Sequence, residues 1–264
     1  MWEQKILDIY TLKADSPISG WIAWVFATIS IILTVSIGVP QLVYLLKNKD
    51  TGEGVNFYSF WIVLVGAIGW MLIGSWDVAE VKMAASAIAN MLSLLLFIFT
   101  IFFTYKYARN EAKRKQAWIA LTVAVVAVAL SSALAIYGLV GKDANGNQLR
   151  MWPQLHAVCV VVFPMLTTFS FFPSVIKSLE QKRFMGMSKG MLFTLVSINI
   201  TWIIYRINLG INNKEFTTGL ITTMVWQFVS LSIYLSQVYL LIRQYVINKR
   251  EKRIITKNTN EQKR

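Results

Sequence analysis

Apolar residues run along this chain in long unbroken blocks separated by short polar stretches. Seven blocks are long enough to cross a bilayer core as helix, which takes about 20 residues. They cover 20–46, 57–76, 83–105, 117–140, 155–176, 191–209 and 217–242. Strands of a membrane barrel would be about half as long and would alternate in polarity; these blocks do not alternate. Trp21, Trp24, Trp76, Trp118 and Trp152 stand at block ends, where an aromatic interfacial belt belongs. The start of the chain places Trp2, Ile6, Ile9 and Tyr10 on one helical face. That fits a short helix on the membrane surface as well as a frayed terminus. The first block is too long for the apolar region of a cleaved signal and follows an acidic rather than a basic start.

The blocks contain an internal repeat. Val39-Pro40-Gln41 is followed by Lys49, Gly54-Val55-Asn56 and Trp70; Phe172-Pro173-Ser174 is followed by Lys182, Gly186-Met187-Ser188 and Trp202. Proline to lysine is nine positions in both copies, and Asn56 to Trp70 equals Ser188 to Trp202 at fourteen. In the third block of each copy, Asn90-Met-Leu-Ser93 matches Gln227-Phe-Val-Ser230. Three spans, one extra crossing and three more spans put both copies in the same orientation, a parallel repeat about an axis along the membrane normal. The expected architecture is an all-α membrane protein of seven transmembrane helices, two parallel three-helix bundles joined by a linker helix (3+1+3). The divisions are an N-terminal extracellular segment 1–19, a first repeat 20–107, the linker 117–140, a second repeat 155–242 and a basic tail 243–264. The stretch 124–135 of the linker is mostly Ala, Val, Ser and Leu, with nothing ionisable.

Composition agrees. The chain is 56% hydrophobic and only 15% charged, well below the roughly 25% of soluble domains. The net charge of +13 would suggest nucleic acid in a soluble protein. Here nineteen of the 26 Lys and Arg lie in the loops after the first, third and fifth blocks and in the tail, and seven on the other side. The positive-inside rule then puts the N-terminus outside and the C-terminus in the cytoplasm; the basic tail reads as a disordered segment near anionic headgroups. One cysteine, Cys159, and one histidine, His156, argue against an intrachain disulfide and a structural zinc site.

Pro40-Gln41 at the inner end of a span, a short basic loop and a following span with Trp70 resemble the PQ-loop family. The three-one-three layout is most similar to the SWEET sugar transporters, whose half-size bacterial relatives are the SemiSWEETs. The resemblance covers about residues 20–244 and implies alternating access around a site between the repeats. It makes Pro40 and Gln41, with Pro173 and Ser174, the hinges; Ser174 stands where the family has glutamine. A mid-helix proline bends its helix, so a static kink is the competing account. Gln41 could hydrogen-bond the carbonyls that the proline frees.

Trp70 and Trp202 match the family's substrate-lining position, and a pair of indoles suits the C–H face of a sugar. Interfacial anchoring or core packing is the alternative. Asn90 and Gln227 are amides inside a span, able to bond a hydroxyl-rich solute or a neighbouring helix. Gln227 departs from the family asparagine. Arg206, the one charge placed within a span, reads as snorkelling to the outer surface rather than attracting an anionic solute. His156 reads as interfacial. No Asp or Glu falls in mid-span, whereas proton-coupled carriers usually need a titratable group at depth.

The expectation is therefore a plasma-membrane uniporter for a small neutral solute, a sugar first. Trp70, Asn90, Trp202 and Gln227 would bind it, with no cofactor, no metal and no nucleic-acid partner. Membrane lipid surrounds it, and a homo-oligomer is left open. The rival readings are a PQ-loop transporter of an amino acid, vitamin or nucleoside, and, more weakly, a receptor like the KDEL-retrieval receptor. A receptor pocket for an acidic peptide end should present several buried cations. The sequence has no phosphate-binding glycine loop and no nucleophile with a matching base, so it does not read as an enzyme.

Overall fold

The computed structural model describes Leu12, residues 17–78 and residues 83–261, the last eleven by backbone alone. The proposed surface helix at the N-terminus lies outside the described residues except for Leu12. Among the described residues, seven stretches of helix are long and apolar enough to span a membrane: Ile18–Asn48, Phe57–Ser75, Ala84–Lys106, Ala117–Val140, Pro153–Glu180, Lys189–Asn213 and Thr218–Arg250.

The first span is two helices, α1 (Pro17–Val35) and α2 (Val39–Asn48). The fifth is likewise α7 (Pro153–Phe169) and α8 (Phe172–Glu180). Pro40 and Pro173 sit in the first turn of α2 and α8, where a missing N–H loses no helical hydrogen bond. The expected mid-helix bend is thus an interruption of the helix by a short turn, at the same point of both copies. The other elements are α3 (Phe57–Ser75), α4 (Ala84–Lys106), the short α5 (Glu111–Lys115), α6 (Ala117–Val140), α9 (Lys189–Asn213) and α10 (Thr218–Glu261).

The loops after the two broken spans share their backbone conformation. Lys49 and Lys182 are both left-handed, at φ 50° and 51°, and so are Gly54 and Gly186, at φ 72° and 90°. Asn56 then caps α3 by accepting from Tyr58 N–H, and Ser188 caps α9 by accepting from Met191 N–H.

Packing follows the same pairing. α1 lies on α4 and α9; α7 lies on α10 and α3. α3 pairs with α4 as α9 pairs with α10. Each of these contacts has a counterpart under exchange of the two halves, and α6, which touches α3 and α4, stands outside the scheme as the linker. Small residues set the close approaches, as is common between membrane helices. α1 buries Ala23, Ala27, Ser30 and Thr34. On α3, a Cβ at Gly69 would fall 1.9 Å from the Phe163 ring of α7, and one at Gly66 would fall 2.4 Å from Thr167.

Loop contacts define two ends of the bundle. On the lysine- and arginine-rich side, Gly186 N–H donates to Glu53 O, Arg183 pairs with Glu53 and Arg109 with Asp50. The Arg109 guanidinium holds the Asp50 carboxyl below its usual range. On the far side, Met151 N–H donates to Trp76 O, and His156 Nε2 lies 3.6 Å from Asp77 Oδ1. His156 is half-buried in the first turn of α7, beside Asp77. Trp76 donates its indole N–H to Leu134 O of α6, whereas Trp21, Trp118 and Trp152 are exposed as belt residues should be.

The tail corrects one expectation. α10 does not stop near 242 but continues as helix to Glu261. The residues from 243 to 261 contain no Gly or Pro and many Lys, Arg, Gln and Glu, which favour helix even without packing.

Candidate functional site

A cavity lies among α1, α3, α4, α7, α9 and α10, where the two halves meet. The centre of a water-sized sphere can sweep about 120 Å³ of it, room for a small ligand rather than a single water. Trp70, Asn90, Trp202 and Gln227 all line it. The hinge positions Pro40, Gln41, Pro173 and Ser174 do not; they lie toward the basic end.

The two tryptophans are held by reciprocal bonds. Trp202 on α9 donates its indole N–H to Thr34 Oγ1 on α1, at 3.1 Å. Trp70 on α3 donates to Thr167 Oγ1 on α7, at 3.4 Å. Thr34 stands six positions before Pro40, and Thr167 six before Pro173. Each half thus anchors the other's indole from the helix just ahead of its break.

Arg206 overturns the snorkelling expectation. It is only 8% exposed and lines the cavity. Its Cζ lies over both indoles, 5.3 Å from the Trp70 ring centre and 5.4 Å from that of Trp202. A guanidinium over an indole face gains up to about 2 kcal/mol when desolvated, yet rings do not neutralise a charge. Its Nη1 is buried without a hydrogen-bond partner. Among the described residues no Asp or Glu lines the cavity.

The amides divide in function. Asn90 donates Nδ2–H to Ser86 O, and Asn199 donates to Leu195 O, each within its own helix. Their side-chain oxygens remain as acceptors. Gln227 Oε1 is buried and unpartnered. Sequence reasoning missed Asn199, Thr34 and Thr167. Asn199, Trp202 and Arg206 share one face of α9 at positions i, i+3 and i+7, which is the signal that could have found Asn199 and Arg206.

Toward the basic end the wall is aromatic. Phe60 stacks near Phe97 at 6.2 Å and meets Phe171 edge-on at 5.6 Å. All three are buried, as are Met191 and Leu192 behind them. Gln41 is fully buried at this end. It does not satisfy the carbonyls of its own helix break; its Oε1 accepts from Ser188 N–H, 2.8 Å away in the other half. Ser174, its counterpart, has a shorter side chain whose Oγ finds no partner.

The family model for the PQ loop repeat matches residues 22–82. Among solved structures, the chain aligns with a eukaryotic SWEET transporter at a TM-score of 0.50 and 13% identity, over 83% of this chain and 97% of that one. No curated protein matches.

Proposed function

We propose, for a membrane protein with a PQ-loop repeat on a SWEET-like fold, that the chain carries a small hydroxyl-rich solute of the sugar class across the plasma membrane by alternating access. The observation that carries this reading is the reciprocal anchoring of Trp70 by Thr167 and Trp202 by Thr34 around one cavity. A site built equally by both halves is remade whenever the halves rock about the axis that relates them. The helix breaks at Pro40 and Pro173 supply matched places for that rocking. The Phe60–Phe97–Phe171 cluster and the Gln41–Ser188 bond close the basic end. With the basic side cytoplasmic, as the charge distribution favours, these contacts are the inner gate of the cycle.

Trp70 and Trp202 frame the solute; Asn90, Asn199 and Gln227 accept from its hydroxyls. No acid lines the cavity among the described residues, which supports uncoupled movement down a gradient. Liposomes holding purified protein test the reading with a panel of labelled sugars, sugar acids, amino acids and nucleosides. The carrier predicts saturable uptake of one class, independent of an imposed pH gradient and abolished by Trp70→Ala or Trp202→Ala. Proton-driven accumulation would replace the uniporter and direct attention to the Asp77–His156 pair. Uptake of no class would remove the carrier reading.

A further inference from the structure

We infer that the transported solute bears a carboxylate and that Arg206 receives it. The inference rests on the carrier reading and names its substrate class. A guanidinium held among membrane spans needs a counter-charge or water. Between transport events, water in the cavity can serve Nη1. A neutral sugar entering the same space expels that water and returns no charge, leaving a buried cation over two rings. A carboxylate replaces the water charge for charge, and its bond to Arg is stronger than any neutral pair.

The remaining groups narrow the choice. Arg206 is the one charged side chain lining the cavity among the described residues, so a monoanion balances it and a phosphate dianion would leave an excess negative charge. An amino acid would bring an ammonium group, for which the described wall has no acid. Gln227 Oε1, buried and unpartnered, accepts a hydrogen bond from a hydroxyl instead. One cationic donor and a set of amide acceptors describe a hydroxy acid, such as a sugar acid. Carrying it alone moves one negative charge per cycle, because Arg206 stays with the protein.

The test compares labelled glucuronate, lactate and glucose in liposomes holding the full chain, with a potassium diffusion potential imposed by valinomycin. At least one of the two hydroxy acids should be taken up at least tenfold faster than glucose. Its accumulation should grow about tenfold for each ~59 mV positive inside. Arg206→Gln should lower that uptake tenfold or more, and Arg206→Lys should retain part of it. Should Arg206→Gln fail to fold, the wild-type protein decides alone, through its thermal stabilisation by the acids against glucose. Uptake or stabilisation by glucose but by neither acid overturns the inference and leaves the carrier standing. So does acid uptake that ignores potential or survives Arg206→Gln. Uptake of nothing, with no thermal shift, overturns both.

Discussion

Gln41 Oε1 accepts a hydrogen bond from the backbone N–H of Ser188 across 2.8 Å and 147 positions of sequence. Gln41 follows the proline at which the first span breaks, and Ser188 caps the helix that carries Trp202 and Arg206. In the proposed cycle, opening the basic end parts these residues. Gln41→Ala leaves the Ser188 N–H buried and unsatisfied only while that end is shut, at a cost of about 1–3 kcal/mol. That shifts the population toward the open state roughly 5–150-fold. Met191, fully buried just behind the bond, is the reporter. In a Cys159→Ser, Met191→Cys background, Gln41→Ala should accelerate thiol labelling from the basic side by that order. An unchanged rate would show that the bond does not hold the end closed.

The indole anchors give an asymmetric prediction. Trp202 is 8% exposed and its bond to Thr34 is the shorter, while Trp70 is only partly buried and bonds Thr167 at 3.4 Å. Removing a hydroxyl from a buried N–H costs more than removing one from a partly hydrated group. Thr34→Val should therefore weaken apparent solute affinity more than Thr167→Val, with both proteins at normal abundance. Equal effects, or lost abundance, would point to helix packing instead.

The α3–α7 contact predicts a stability effect of unusual sign. Alanine normally improves on glycine inside a helix by about 1 kcal/mol. At Gly69 the added methyl lands on the Phe163 ring, and overpacking costs about 1–3 kcal/mol. Gly69→Ala should lower the melting temperature in detergent, whereas Gly219→Ala, with nothing within 4 Å of its Cβ, should not. A neutral Gly69→Ala would mean that α3 and α7 do not pack this closely.

Much of this fold is legible in the chain, because lipid forces each span to appear as a long apolar block and the repeat preserves its spacing. The matched Pro40 and Pro173, Lys49 and Lys182, and Trp70 and Trp202 can be paired by counting. What those pairs touch is less legible. Arg206 reads as snorkelling because its distance from the end of the apolar block allows it. Its position one turn beyond Trp202 places it on the cavity face, and the two indoles hold it there. Gln41 reads as serving its own broken helix, since nothing local announces a partner in the other half. The helical tail is hidden by composition: a run too polar to pack is not thereby too polar to be helix.

Topology has a direct check. Glu111 and Asn145 are both exposed and lie at opposite ends of the bundle. With the basic side cytoplasmic, an impermeant thiol reagent should label Asn145→Cys in intact cells and Glu111→Cys only after permeabilisation. Labelling of Glu111→Cys in intact cells would reverse the proposed orientation.

In the proposed cycle, one cavity between the halves is exposed alternately to the two sides of the membrane. Counterflow tests it most directly. Liposomes are preloaded with the unlabelled form of the solute found in the uptake panel, diluted, and given a trace of the labelled form outside. A carrier returns its site loaded, so the label should accumulate transiently above its external concentration and then decline. Trp70→Ala and Trp202→Ala should each abolish the overshoot. Label that enters only to equilibrium would indicate a channel, and label that binds without entering would indicate a receptor; either contradicts alternating access.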